Sequence, residues 1–450
     1  MRAMADQPTH SIAVIGGAVA GAEVAGLLAD RGAEVVVFEQ NRKPYGKIED
    51  GLPRWHTALR NKEYEAIGAN LSKPHVHFVP STRIGRDISF DELVNDWGFS
   101  GVVLACGAWR DRPLPVEGAD AFVGKGLIYQ NPFIIWFNHS EDPDYDGPLF
   151  EPQDGALVVG GGLASIDVVK ALMLETTRAK LRERGIEVDL VEMEVKGIPK
   201  TLAAHGIEFE ELGLEGCTLF YRRGEEDMPL MEMPEDADEK RREKVRAGRK
   251  KMLAKAMEKY RFKFEPLCMP DDLIVEDGRL VGLRFRRTKM VDGRPQPTDE
   301  TFERRGCYVI SSIGSIPEPI EGIPMKGELF QFSDWHLGRL ENRPTVFSAG
   351  NVVTGKGNIV ASRKHAREIT GTMIESFLGL AEDAGAAAQG LVEAAREHKR
   401  EQAAAIAGQI EKQPPMPPGA LEALRARVKE RQQKVGYDGD YAAWIARFHR

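Results

Sequence analysis

The chain lacks any CxxC pair: its four cysteines, Cys106, Cys217, Cys268 and Cys307, are scattered. That spacing argues against a redox-active disulfide, a zinc site or an iron–sulfur cluster within the chain, and reads the four as ordinary reduced thiols. No apolar run is long enough to span a bilayer, so no membrane contact is expected. Met1 to His10 is polar and lacks the apolar core of a secretory signal, which points to the cytoplasm. Positive charge is not in excess: the formal net charge is −8, which disfavours nonspecific nucleic-acid binding. His75 and His77 alternate in a strand-like run without visible partners, so no metal site is expected. What remains is an ordinary globular composition, 42% hydrophobic and 29% charged, over 450 residues, enough for two or three domains.

Two glycine-rich turns then organise the chain. Ser11–Ile15 is a short apolar, β-branched run that reads as a buried parallel strand. It leads into Gly16-Gly17-Ala18-Val19-Ala20-Gly21, a helical pattern through Asp30, a stop at Gly32, and a second strand Glu34–Phe38 closed by Glu39. That is a complete β-α-β dinucleotide unit. Gly16 permits the tight turn, Gly21 lets the helix approach the sheet, and the helix N-terminus offers N–H groups to a pyrophosphate. Glu39 can accept hydrogen bonds from a ribose and would repel a 2′-phosphate, so this site suits FAD or NAD. The middle glycine of the pattern is Ala18, whose methyl stands at the point of closest backbone approach.

The second unit begins at Ala156–Val159 and turns through Gly160-Gly161-Gly162-Leu163-Ala164-Ser165 into a helix. Its next strand, Cys217–Tyr221, comes late and ends in Arg222-Arg223. Two guanidinium groups where a carboxylate would otherwise stand suit a 2′-phosphate, hence NADPH, with NADH as the alternative; surface ion pairing is the plainer reading of either arginine. Two dinucleotide sites imply a relay in which a pyridine nucleotide gives hydride to a flavin.

At this point the chain resembles the adrenodoxin reductase type of ferredoxin–NADP reductase, with a middle section similar to the small subunit of glutamate synthase, over roughly residues 10 to 380. Pro44-Tyr-Gly-Lys-Ile-Glu-Asp-Gly-Leu-Pro-Arg-Trp-His56 resembles the segment that wraps the flavin. Gly85-Arg86-Asp87 and Glu92-Leu93 resemble the stretch before the strand Val102–Gly107, in which Cys106 stands for the usual threonine. Tyr221-Arg-Arg-Gly-Glu-Glu-Asp-Met-Pro229 is similar to the glutamate synthase version of the arginine strand. Ile310–Gly314 with Pro317 resembles the return crossover, and Val346–Asn351 with Gly355–Ile359 the segment that closes over the flavin. Asn351 stands where many glutamate synthase relatives have aspartate.

The resemblance implies an α/β fold with two Rossmann-like dinucleotide-binding domains. A discontinuous FAD domain (1–115 and 321–380) holds an inserted NAD(P)H domain (116–320), and a helical C-terminal extension (381–450) follows. It implies FAD contacts from Gly46, Lys47, Thr82, Cys106, Gly107, Gly350 and Asn351, with backbone N–H groups of Gly357, Asn358 and Ile359 at the flavin's pyrimidine edge. His56 would lie near the flavin, to relay protons or hold the ring, unless it only caps a loop. An acidic partner is expected after Met228-Pro229, from Glu232 or Glu235, with Glu235 the candidate. The expected activity is hydride transfer between NADPH and FAD, then electron exchange with a ferredoxin-like carrier.

The family's glutamate synthase members carry a cysteine-rich N-terminal region that this sequence does not show, so a cluster would sit on a partner. The basic stretch Lys240–Lys251, expected to be helical except at Gly248, is either a docking patch for an acidic ferredoxin or a solvated helix face. The extension, broken by Pro414–Pro418 and ending in an aromatic-rich Tyr437–Phe448, is expected to dock on its own body or on a partner subunit. An FAD-containing subunit of a larger complex and a low-turnover flavin-binding protein are the two rival readings.

Overall fold

The computed structural model describes residues 8–231, 233, 237–354, 380, 396–397 and 400–448. Short β-branched runs become the strands of two parallel sheets. The first has the order Val346–Ser348, Gly101–Leu104, Ser11–Ile15, Glu34–Phe38, Val76–Val79. Every neighbouring pair is parallel. Its strand from late in the sequence lies beside one from early, so the chain leaves this sheet and returns to it. The second sheet has the order Leu127–Tyr129, Val309–Ser312, Leu157–Gly160, Thr218–Phe220, Lys263–Glu265, again all parallel. The two crossings between the sheets pair with each other: Arg110–Asp111 and Ser315–Ile316 form a small antiparallel ribbon.

Alternate residues of each first-sheet strand enter different cores, as a period of two demands. Val14, Val35 and Val37 face one side with the helix Val19–Asp30; Ala13, Val36 and Phe38 face the other. The helix after the second glycine turn, Leu163–Glu183, is buried along most of its length within the second domain's core. Two short helices, Leu190–Lys196 and Ile198–Ala203, fill the late connection to Thr218–Phe220.

Three features depart from expectation or go beyond it. The helix Glu239–Tyr260 runs straight through Gly248. Gly248 lies against Met231, whose terminal methyl would stand 2.8 Å from a Cβ there. Long strands Cys268–Glu276, Arg279–Val291 and Arg294–Arg305 make an antiparallel sheet that the sequence reading left unassigned. Lastly, the described part of the extension folds back on the first sheet. Its 400–410 helix places Ala403, Ile406, Ala407 and Ile410 in the core on one face, and the helix Ala420–Lys434 places Leu424 and Val428 in the core on the other. No described helix is long and apolar enough to cross a membrane.

Candidate active site

Both glycine turns open into one cavity of about 1220 Å³. That exceeds the few hundred to roughly 1,000 Å³ usual for a single small ligand. At the first turn, Gly16 has φ +102°, and a Cβ on it would lie 2.6 Å from the Ala105 carbonyl oxygen. A Cβ on Gly21 would fall 1.8 Å from the Gly16 carbonyl oxygen, so Gly21 is a packing residue and does not line the cavity. Ala18 lines the cavity at the N-terminus of the helix Val19–Asp30, with an ordinary φ of −73°. Room for its methyl comes from Gly46, where a Cβ would stand 2.9 Å from that of Ala18. The departure from glycine at position 18 is thus matched by a glycine across the cleft.

Glu39 is buried at the end of its strand and lines the cavity. It accepts the Gly17 N–H at 2.8 Å and the Asn41 N–H at 2.9 Å. Burial raises its carboxyl to about 7, against the pull of those two N–H groups. Thr82 also lines the cavity, but its hydroxyl donates to the Pro80 carbonyl and accepts from Arg431 Nε at 2.9 Å. Cys106, Gly107, Gly350 and Asn351 complete this part of the wall. Burial pushes the Cys106 thiol up to about 12, so it is no thiolate.

At the second turn, Gly160 admits no side chain: a Cβ would lie 2.2 Å from Ser165 Oγ and 2.4 Å from the Ser312 carbonyl oxygen. Ser165 donates to that same carbonyl at 3.0 Å, which ties the helix start to the neighbouring strand. Gly161 is covered by the Tyr221 ring, 1.9 Å from where a Cβ would stand. A Cβ on Gly162 would meet nothing within 4 Å among the described residues, so the space above it faces the cavity with Leu163 and Ala164. Arg222 is exposed and lines the cavity; Arg223 does not. The two arginines are therefore not equivalent.

These features fit a dinucleotide at each turn. Both have a tight glycine bend, a helix N-terminus on the cavity wall, and a polar side chain beyond the second strand: the carboxyl of Glu39 at the first, the guanidinium of Arg222 at the second.

Lys47 lies recessed in the wall. Its ammonium donates to Asn131 Oδ1 at 3.2 Å and Ser315 Oγ at 3.0 Å. Burial lowers its pKa to about 8, against the opposing pull of Asp111. Asp111 accepts the Asn131 N–H and is itself raised to about 6 by burial. Sequence reasoning named Lys47 but missed Asn131, Asp111 and Ser315, since only the crossing ribbon brings them together.

It also missed Asp167, one turn into the second helix. This carboxylate is buried, lines the cavity, and leaves Oδ1 without a hydrogen-bond partner among the described residues. Burial raises its pKa to about 7. Beneath it, the fully buried Lys170 bonds Glu194 at 2.7 Å and lies over the rings of Trp55 and Tyr260.

His56 sits beside this buried group and is absent from the cavity wall. Burial, Lys170 and Arg60 hold its pKa well below 6.5, so the expectation of a histidine titrating near neutrality is corrected. Glu232, Glu235, Gly357, Asn358 and Ile359 lie outside the described residues. The basic stretch is also less of a free patch than its sequence suggests. Arg249 is buried and donates to the Met231 and Glu226 carbonyls, while Arg246 pairs with Glu239 and Lys250 with Glu226.

Two parallel sheets, each with a glycine turn opening into one shared cavity, define a fold with two dinucleotide-type halves. No family model matches the chain. It is 23% identical over 440 residues to the mitochondrial NADPH:adrenodoxin oxidoreductase of Arabidopsis thaliana, covering 87% of each. It is 33% identical over 168 residues to the cindoxin reductase of Citrobacter braakii, which covers 36% of this chain and 34% of that one. To the glutamate synthase [NADPH] small chain of Bacillus subtilis it is 29% identical over 171 residues. The chain thus spans about a third of the length of these last two relatives. Mycobacterium tuberculosis FprA in complex with NADPH has the same fold, with a TM-score of 0.62 at 18% identity, covering 95% of this chain and 91% of that one. The resemblance read from the sequence is shown: the chain is similar over most of its length to the adrenodoxin reductase type and over a shorter stretch to glutamate synthase small chains.

Proposed function

We propose that the protein is an FAD-dependent oxidoreductase that takes hydride from NADPH and passes electrons to a ferredoxin or another iron–sulfur partner. One observation carries this reading. A single cavity is walled by both glycine turns, with the carboxyl of Glu39 beside the first and the exposed guanidinium of Arg222 beside the second. The acid suits the ribose of FAD and disfavours a 2′-phosphate; the arginine suits the 2′-phosphate of NADPH. The names of the relatives, reductases of adrenodoxin and cindoxin among them, agree with it.

The chemistry supplied by the bound groups is hydride transfer from the nicotinamide to the flavin ring. The chain's part would be to hold the two groups in alignment and to keep water out. The glycine turns seat the two pyrophosphates. Lys47, joined to Asn131 and Ser315, fixes the seam between the two halves of the cavity. A hydride carries two electrons, so a one-electron iron–sulfur carrier must be served twice per turnover.

The test is anaerobic stopped-flow reduction of the purified yellow protein with NADPH and with NADH, followed by addition of a low-potential ferredoxin. Bleaching with NADPH and reoxidation by ferredoxin is the expected result. No bleaching with either nucleotide overturns the reading, and bleaching without reoxidation by ferredoxin overturns its electron-acceptor half.

A further inference from the structure

The C-terminal residues hold no nucleotide motif, yet they touch the loops of the first nucleotide site at several points. Helix 400–410 packs on one face of the first sheet, the helix Ala420–Lys434 on the other, and Tyr441–Ala446 returns to the first face. The segment therefore passes around the edge strand Val76–Val79, where Gln432 Nε2 donates to the Phe78 carbonyl at 2.9 Å.

Three of its contacts fall on the residues or loops that wall the cavity. Arg431, with a side chain only 10% exposed, donates from Nε to the hydroxyl of Thr82 at 2.9 Å and lies 3.6 Å from Asp87. Gln402 bridges the turn after the strand Val346–Ser348: its Oε1 accepts the Gly350 N–H at 3.2 Å and its Nε2 donates to the Ser348 carbonyl at 3.1 Å. Trp444 Nε1 donates to the Arg42 carbonyl at 2.8 Å, and its ring shares a core with Tyr45. Arg42 lies in the loop between Asn41 and Tyr45, both of which line the cavity. Behind the glycine turn, Arg400 pairs with Glu23 on the helix Val19–Asp30 at 3.1 Å.

We infer that residues 400–448 act as a strap that holds FAD in place: Arg431, Gln402 and Trp444 fix the loops that enclose the first nucleotide site, and FAD leaves only when these ties open. Without them the loops at Asn41–Tyr45, Thr82 and Gly350 depend on their own backbone contacts. Loops of that kind open at low free-energy cost, whereas side chains anchored in the core on both faces of a sheet raise it. Because the strap belongs to the same polypeptide, its effective concentration does not fall on dilution. This inference rests on the assignment of FAD to the first site.

The contact of Arg425 with Glu34 supplies an internal control. It lies on the same strap helix, with bonds of 2.6 and 2.9 Å, but Glu34 faces away from the cavity wall. The experiment compares full-length holoprotein with Arg431→Met, Gln402→Leu and Arg425→Met. It reads the rate at which free-flavin fluorescence appears after dilution, and the melting temperature of each apoprotein. Arg431→Met and Gln402→Leu should release FAD roughly tenfold faster, the scale of one lost hydrogen bond to a charged or buried group. Arg425→Met should lower the melting temperature, because Glu34 loses its guanidinium, and leave the release rate unchanged. Release at the wild-type rate from both Arg431→Met and Gln402→Leu overturns the strap. So does equal acceleration in all three variants, which would make the extension a support of the fold alone. A wild-type protein that takes up no flavin overturns instead the assignment of FAD to the first site, and the strap with it.

Discussion

Lys47 donates to the hydroxyl of Ser315 across 3.0 Å, and this bond joins the loop after the first nucleotide unit to the ribbon by which the chain returns from the second sheet. Asn131, at the start of a second-domain helix, accepts from the same ammonium and donates its own amide to Ser315 at 3.2 Å. A charge in this position is costly to bury, which its lowered pKa of about 8 records. Its use is therefore geometric: it sets how the two halves of the cavity face each other.

Replacing Lys47 by methionine keeps the stem and removes the charge. Ser315 and Asn131 keep each other, so the variant should melt no lower than the wild type at pH 7. Flavin bleaching by NADPH in stopped-flow should slow by about tenfold, since misplacement of the reacting groups by a fraction of an ångström is costly. A pH series adds a second check. The folded pKa of about 8 lies below the unfolded value, so between the two the unfolded chain binds more protons and wild-type stability rises with pH. That rise should be smaller in Lys47→Met. A lower melting point with an unchanged bleaching rate would mean that Lys47 is only a structural residue.

Arg222 and Arg223 stand side by side in sequence but differ in place, because successive residues leaving a strand point in opposite directions. Only Arg222 lines the cavity. Arg222→Ala should raise the NADPH Michaelis constant on the order of tenfold or more, the value of a charge-assisted contact to phosphate, and should leave the NADH constant nearly unchanged. Arg223→Ala should do little to either. Steady-state kinetics with both nucleotides decide it; equal effects on NADPH and NADH would remove Arg222 from 2′-phosphate recognition.

The parallel sheets and their glycine turns were legible because each is a local pattern: a β-branched run, a glycine bend, an amphipathic helix. Ser11–Phe38 carries the whole of the first unit in consecutive residues. The long antiparallel sheet went unassigned although its turns stand in the sequence. Asp277-Gly278 and Asp292-Gly293 both have positive φ at each residue, the signature of a tight hairpin turn, and both dipeptides are plain in the sequence. The Lys47–Asp111–Asn131–Ser315 group was not legible, since its members come from four segments that meet only at the crossing ribbon. The break expected at Gly248 failed for a different reason: helix propensity is a weak prior, and the burial of Val245, Arg249, Met252 and Leu253 around it outweighs a glycine cost of about 1 kcal/mol. Nor could the sequence say whether the aromatic tail serves this chain or another, because Tyr437, Tyr441 and Trp444 would suit either; in the fold they pack on the first sheet.

His56 bears on how protons move near the cavity. It is buried, with Lys170 and Arg60 contributing like charge, and all three causes disfavour the imidazolium. The folded pKa therefore lies well below that of the unfolded chain, near 6.5. Above that value both states are neutral and His56 contributes nothing to the pH dependence of stability. Below it, the unfolded chain takes up a proton that the folded chain refuses, so stability falls as the pH drops. His56→Asn should flatten that acid-side loss in melting temperature between pH 6.5 and pH 5, relative to wild type. The His56 imidazole resonances of the wild type should also show no titration between pH 6 and 8. A midpoint near 6.5 would restore His56 as a neutral-pH proton carrier; its absence leaves His56 a neutral ring that can hold its neighbours and delivers no charge.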